Sequence, residues 1–221
     1  MSGRALWFHA VIGLIAALGV TAADSVSASV LHASASSFTG SPLNVSLQVD
    51  DETVPGDLVI TLEVTGPGAT IGDLRGFFIQ VANESLLSGL SVTGANVTGT
   101  SFLANAVTAV GSGNNLYGGG SPCPCDVGVA LGTPGIGSDD IRKVTFTLSH
   151  ATENLDVSFL SGQNFGVRAT SVGKGRCRNG SSKLAGGVPV VPEPGTALLI
   201  GLGLAGLAGS RSRASSRSRA R

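Results

Sequence analysis

Charge and aromatic side chains are scarce in this chain of 221 residues, with 13% Asp, Glu, Lys and Arg, 5% aromatics, and Trp, Tyr and Met once each. Together with 33 glycines, these low values suit short strands joined by many turns better than long surface helices. The sequence also lacks a Gly-x-Ser-x-Gly elbow, a His-Glu-x-x-His pair and a Walker loop, which removes the corresponding hydrolase and nucleotide chemistries. Scattered Asp and Glu cannot be paired into the two carboxylates of a glycosidase from sequence alone. A non-enzymatic, all-β body is therefore expected.

The formal net charge of zero hides an uneven distribution. Between Ser29 and Pro194 there are 13 Asp and Glu against 8 Lys and Arg, a net of −5, whereas Arg211, Arg213, Arg217, Arg219 and Arg221 crowd the last eleven residues. At the other end, Arg4 precedes the apolar stretch Ala10–Val20, and small residues follow. This order is that of a secretory signal peptide, so signal peptidase is an expected partner and residues 1–28 are expected to be removed. Val26-Ser27-Ala28 offers small side chains for that cut, with Ala22 and Ala23 as alternatives. No Cys follows the apolar run and no twin arginine precedes it, which points to general secretion.

Gly195 to Gly209 contains no charge. It is short against the ~20 apolar residues of a membrane-spanning helix, so bilayer thinning or help from Val188–Val191 is needed. Pro192 and Pro194 suit the start of such a helix rather than its interior. The arginines beyond it belong on the cytoplasmic side by the positive-inside tendency, with membrane lipid as their partner. Nucleic acid is not expected there, because the tail follows an apolar anchor and has no aromatic residue for base stacking. Gly201, Ala205 and Gly209 recur every four residues, aligning small side chains on one helix face; close packing and plain Gly/Ala richness both account for them.

The triplet Pro192-Glu193-Pro194, the uncharged segment 195–209 and the basic tail 210–221 together resemble the C-terminal signal of PEP-CTERM proteins over Val191–Arg221. That resemblance implies an exosortase, a membrane-embedded cysteine transpeptidase, that recognises the tripeptide and processes the chain near it, in bacteria that make exopolysaccharide. It implies transient anchoring in the inner membrane with the body outside the cytoplasm, then a cell-surface or extracellular destination. It implies sorting and no particular activity. The chain thus divides into a signal peptide (1–28), an exported domain (29–188) and a sorting signal (189–221).

The body shows period-2 stretches punctuated by Gly, Pro, Asn and Asp, the pattern of half-buried strands and turns. Val45, Leu47 and Val49 alternate with polar residues, as do Ile60, Leu62 and Val64. Further strands are expected at Phe77–Val81, Leu90–Val97, Val127–Leu131, Val144–Leu148, Leu155–Leu160 and Phe165–Val172. About eight strands with one apolar face each predict an antiparallel β-sandwich. Gly72–Ile79 followed by Leu90–Thr93 resembles cohesin-like and carbohydrate-binding sandwiches. Gly111–Cys125 is expected to be a long irregular loop, with Tyr117 either tucked beneath it or exposed for stacking on a sugar.

In an oxidising compartment one disulfide is expected among Cys123, Cys125 and Cys177, joining Cys177 to Cys123 or Cys125. Asp50-Asp51-Glu52 and Asp139-Asp140 fall in predicted turns, where the carboxylates of Asp50, Asp51, Asp139 and Asp140 either stay solvated or take up calcium. No other cofactor is expected. The function that fits is an exported, exosortase-sorted surface or matrix protein with a non-enzymatic body. The alternative is a carbohydrate-binding or glycan-active module.

Overall fold

In the computed structural model, residues 29–66, 68–136 and 139–191 are described. The expected signal helix within 1–28, the sorting triplet 192–194, the apolar segment 195–209 and the tail 210–221 lie outside them. Among the described residues no helix is long and apolar enough to cross a membrane.

The body is all-β. Its ten strands are β1 (Val30–Gly40), β2 (Asn44–Asp50), β3 (Leu58–Val64), β4 (Thr70–Ile79), β5 (Leu90–Thr93), β6 (Val97–Val107), β7 (Cys125–Leu131), β8 (Lys143–His150), β9 (Asn164–Lys174) and β10 (Cys177–Gly187). They form one antiparallel sheet in the order β5-β8-β3-β2-β1-β10-β9-β4-β7-β6. The two outermost strands, β5 and β6, are consecutive in the chain and lie against each other. The sheet is thus nearly closed into a barrel, and a sandwich describes it only approximately. β5 and β6 form no ladder with each other, so this near-closure leaves their edges in place, whereas full closure would abolish them.

Alternation decides which side chains enter the interior. Val45, Leu47 and Val49 of β2, Ile60 and Leu62 of β3, and Val144, Phe146 and Leu148 of β8 are all buried in the main core, as their period-2 spacing demands. Phe77 of β4 meets Phe146 of β8 at a ring-centroid distance of 5.7 Å and Phe165 of β9 at 6.1 Å. Because β4 and β8 are far apart in the sheet order, the first contact bridges the interior.

The strand count exceeds the expected eight because β1, β6 and β10 carry weak apolar alternation. Ser, Gly and Ala dominate β1 and β10, yet both strands pair on each side within the sheet. The expected strand 90–97 is broken at Gly94, whose carbonyl takes the amide of Val97 at 3.1 Å and closes a turn between β5 and β6. Leu155–Leu160 is not a strand. It holds a 3-10 turn, Val157–Phe159, in which the Asp156 carboxylate caps the amide of Ser158 at 2.8 Å. Leu155, Val157 and Phe159 are all buried there, so alternation of apolar residues mimicked a strand.

Phe77→Ala removes the side chain that joins the two halves of the core, and is expected to lower the unfolding free energy by about 3–5 kcal/mol in chemical denaturation. The double variant with Phe146→Ala should fall short of the summed single losses, because both side chains lose the same contact.

Candidate functional site

The outer face of β7, β4 and β9 is covered by the chain between β6 and β7. Gly128, Gly76 and Gly166 sit on these three neighbouring strands, and a Cβ on any of them would collide with Val110, Asn114 or Leu116 respectively. Their hydrogen side chains let the loop lie directly on the sheet. Phe78, Val107, Val110, Leu116, Cys123 and Cys125 then form a second, smaller core on the outside. This explains why β4 is buried on both faces. Leu116 points inward and is buried, and Tyr117 beside it is 60% exposed rather than tucked beneath the loop.

Where the loop edge meets β9 and the β7–β8 connection, a cleft of about 230 Å³ opens, lined by Arg75, Asn114, Pro134, Thr170 and Ser171 together with Ser112 and two glycines. Arg75 is its charged lining residue. Its guanidinium is largely buried and donates to the Thr133 carbonyl. The Asn114 amide nitrogen donates to the Arg75 carbonyl, while its Oδ1 is buried with no hydrogen-bond partner among the described residues. Ser171 occupies the left-handed region at φ 48°, unusual for a residue other than Gly. The register explains it: Ile71 pairs with Gly173 but Asp73 with Thr170, so β9 carries one extra residue and bulges at Ser171. A wider depression of about 290 Å³ lies at the β1–β2 turn, lined by Ser36–Gly40 and Pro42–Asn44 without a charged side chain.

Beneath the cleft lies a charge network that sequence reasoning missed. Asp73 is fully buried, accepting from the Ile141 amide at 3.0 Å and the Thr170 hydroxyl at 3.4 Å. Burial pushes its carboxyl above the ordinary range, partly offset by the Ile141 hydrogen bond and the charge of Arg75. Arg178 of β10 donates from both terminal nitrogens to Asp140, at 2.7 and 2.6 Å, and from Nε to the Ser171 carbonyl at 2.8 Å. It thereby ties the bulge to the β7–β8 connection. Hydrogen bonds from Arg178 lead the causes that hold Asp140 at a pKa of about 2. One signal was available in the sequence: Asp73 and Arg75 interrupt an otherwise apolar strand two residues apart.

The four calcium candidates are placed separately. Asp50 caps its own turn, accepting from the amides of Glu52 and Thr53 and the Thr53 hydroxyl, and the Thr53 amide leads the causes that lower its pKa. Asp51 is buried and accepts from the amides of Ser29 and, across the barrel end, Val157. Asp139 takes the amide and hydroxyl of Thr133. Both oxygens of Asp140 face guanidinium groups, those of Arg178 and Arg142, so a cation there would meet their positive charge. Among the described residues no three His, Cys, Asp or Glu side chains converge as a metal site.

The cysteine expectation is corrected. Cys123 and Cys125 are joined to each other, with Cα atoms 4.9 Å apart, and Cys177 is free and exposed. Cys123 lies at the Asn164 end of β9, its sulfur near the Asn164 carbonyl, whereas Cys177 pairs with Lys174 at the other end. Ten residues of extended strand separate these ends by roughly 30 Å, far beyond the Cα separation a disulfide tolerates.

At the C-terminal end, residues 190–213 match the family model of the PEP-CTERM protein-sorting motif. No curated protein and no solved structure matches the chain. The motif marks an exported protein that is anchored at the membrane for sorting and then delivered to the surface, and its processing partner is an exosortase. The chain carries a PEP-CTERM sorting domain.

Two outcomes follow for the body. Peptide mapping without reductant should recover Cys123 and Cys125 in one linked peptide and Cys177 labelled by maleimide in the folded protein. Asp140→Asn should destabilise the body by about 2–4 kcal/mol near neutral pH, because Arg178 is left largely buried without its counter-charge. The depressed pKa of Asp140 means its contribution is present above an unfolded value near 3.8 and is lost as pH falls toward about 2. The raised pKa of Asp73 acts oppositely, its contribution being lost as pH rises through its folded value. Denaturation curves from pH 5 to 2 should therefore show a smaller acid loss in Asp140→Asn than in the parent.

Proposed function

We propose that this is a non-enzymatic surface or extracellular-matrix protein, in which a secretory signal peptide and the sorting motif deliver a compact β body to the outside of an exopolysaccharide-producing cell. The carrying observation is how the body uses its carboxylates. Asp50, Asp51, Asp73, Asp126 and Asp139 all accept backbone amides, and Asp140 is held by two arginines. These groups organise turns and strand ends, whereas a hydrolytic pair needs carboxylates free to exchange protons with a substrate.

The Arg75 cleft supports a second reading, a carbohydrate-binding module. Its volume suits a single sugar ring, and the Arg75 guanidinium with the Ser112 and Ser171 hydroxyls in its lining offers donors and acceptors for sugar hydroxyl groups.

Calorimetric titration of the processed protein with a panel of polysaccharides separates the two readings. Absence of binding is expected for a structural role, and binding abolished by Ser171→Trp, which fills the cleft, would establish the module. Release of new reducing ends from any polysaccharide would overturn the non-enzymatic reading.

The sorting assignment makes its own prediction. Pro192→Ala with Pro194→Ala should block C-terminal processing, leaving a membrane-fraction product whose mass retains Arg221. Leu204→Arg places a charge inside the apolar segment at a cost of about 2.5–3.5 kcal/mol, and should release unprocessed protein instead.

A further inference from the structure

The last described residues are docked on the body. After β10, the Val188 amide donates to the Gln163 carbonyl at 2.9 Å, and Val188 itself is buried. The Pro189 carbonyl accepts from the Gly162 amide at 3.2 Å and from the Ser161 hydroxyl at 3.3 Å. The same hydroxyl oxygen accepts from the Val191 amide at 2.7 Å. Val191 packs against the main core, and Val190 between these anchors is held 76% exposed. In sequence, Pro192 of the sorting triplet follows at once. No free linker separates the folded body from the residues an exosortase must grip.

An enzyme that binds a peptide in extended form makes hydrogen bonds to main-chain groups of the residues flanking its recognition motif. On the N-terminal side of the triplet those groups are committed: the Val188 and Val191 amides and the Pro189 carbonyl are all engaged within the body. The flanking segment cannot be bound by the body and by the enzyme together. When only a fraction of molecules is competent to bind, apparent affinity falls in proportion to that fraction.

We propose that Val188–Val191 is a latch that confines exosortase processing to molecules in which this segment has come off the Leu160–Gln163 turn. The proposal rests on the sorting reading above and adds that the folded body restrains its own maturation. Ser161 is the key of the latch, since one hydroxyl serves both Pro189 and Val191. It lies outside the sorting motif and outside the core, so its removal weakens the latch selectively.

The test is pulse-chase maturation in the native host, following conversion of full-length precursor to processed product. Ser161→Ala should accelerate conversion roughly threefold to tenfold, as expected for net loss of about 1 kcal/mol of hydrogen bonding. A six-residue Gly-Ser insertion between Val191 and Pro192 should also accelerate it, because it supplies free chain while leaving every latch contact intact. The insertion variant keeps the test decisive if Ser161→Ala lowers the melting temperature of the body. A parental or slower rate in either folded variant overturns the latch. Pro192→Ala with Pro194→Ala serves as the control: if that variant matures like the parent, the sorting reading itself fails and the latch with it.

Discussion

The architecture depends on loop side chains being allowed to lie directly on sheet backbone at Gly76, Gly128 and Gly166. These glycines lie on adjacent strands and leave a shallow bare track on the outer face of the sheet. Over that track the β6–β7 loop lies close enough for Val110, Asn114 and Leu116 to pack where side chains would otherwise stand. Without this approach the outward face of Phe78 would be wet and the cleft beside Arg75 would lose one wall. A single sheet thereby serves two cores of unequal size, one enclosed by its own curvature and one built by a loop that closes on itself through an antiparallel bridge between Ala109 and Asn115.

Buried charge has a different task in this fold. Asp73 and Asp126 accept the amides of Ile141 and Val81, just outside the ends of strands, and Asp51 accepts that of Val157 at the start of the 3-10 turn. Such amides have no ladder partner, and burying them unpaired would cost about 1–3 kcal/mol each. Arg178 does the complementary work from β10. It satisfies the carbonyl of the bulged Ser171 and the carboxylate of Asp140 together, so the strained conformation in β9 is held by the connection it faces. The same carboxylates that look like scattered surface charge in the sequence are the fastenings of the barrel's ends.

The junction between body and sorting signal is where fold and delivery meet. The segment after β10 is captured by the turn that follows Val157–Phe159, and that turn is itself positioned by Asp51 through the Val157 amide at 3.0 Å. The exit of the chain is thus fixed by contacts reaching back to the start of the body. A stable exported domain and an enzyme-processed tail place opposite demands on residues 188–191: burial for the first, accessibility for the second.

What the sequence determined by itself was linear. The sorting signal was legible because its tripeptide, uncharged segment and basic tail act as consecutive chain, and the family match falls on residues 190–213. The all-β class and strands β2, β3 and β8 were legible because each presents one apolar face, which period-2 spacing reports directly. Tertiary structure decided the rest. It recruited the Ser- and Gly-rich β1 and β10 into the sheet, because strands flanked on both sides gain their hydrogen bonds from neighbours rather than from their own apolar side chains. It turned Leu155–Leu160 into a 3-10 turn, because an amide 106 residues from Asp51 needed that carboxylate. It joined Cys123 to Cys125 and left Cys177 alone, because β9 holds the two regions at opposite ends. Pairings of this kind depend on which strands become neighbours, and spacing along a chain carries no record of that.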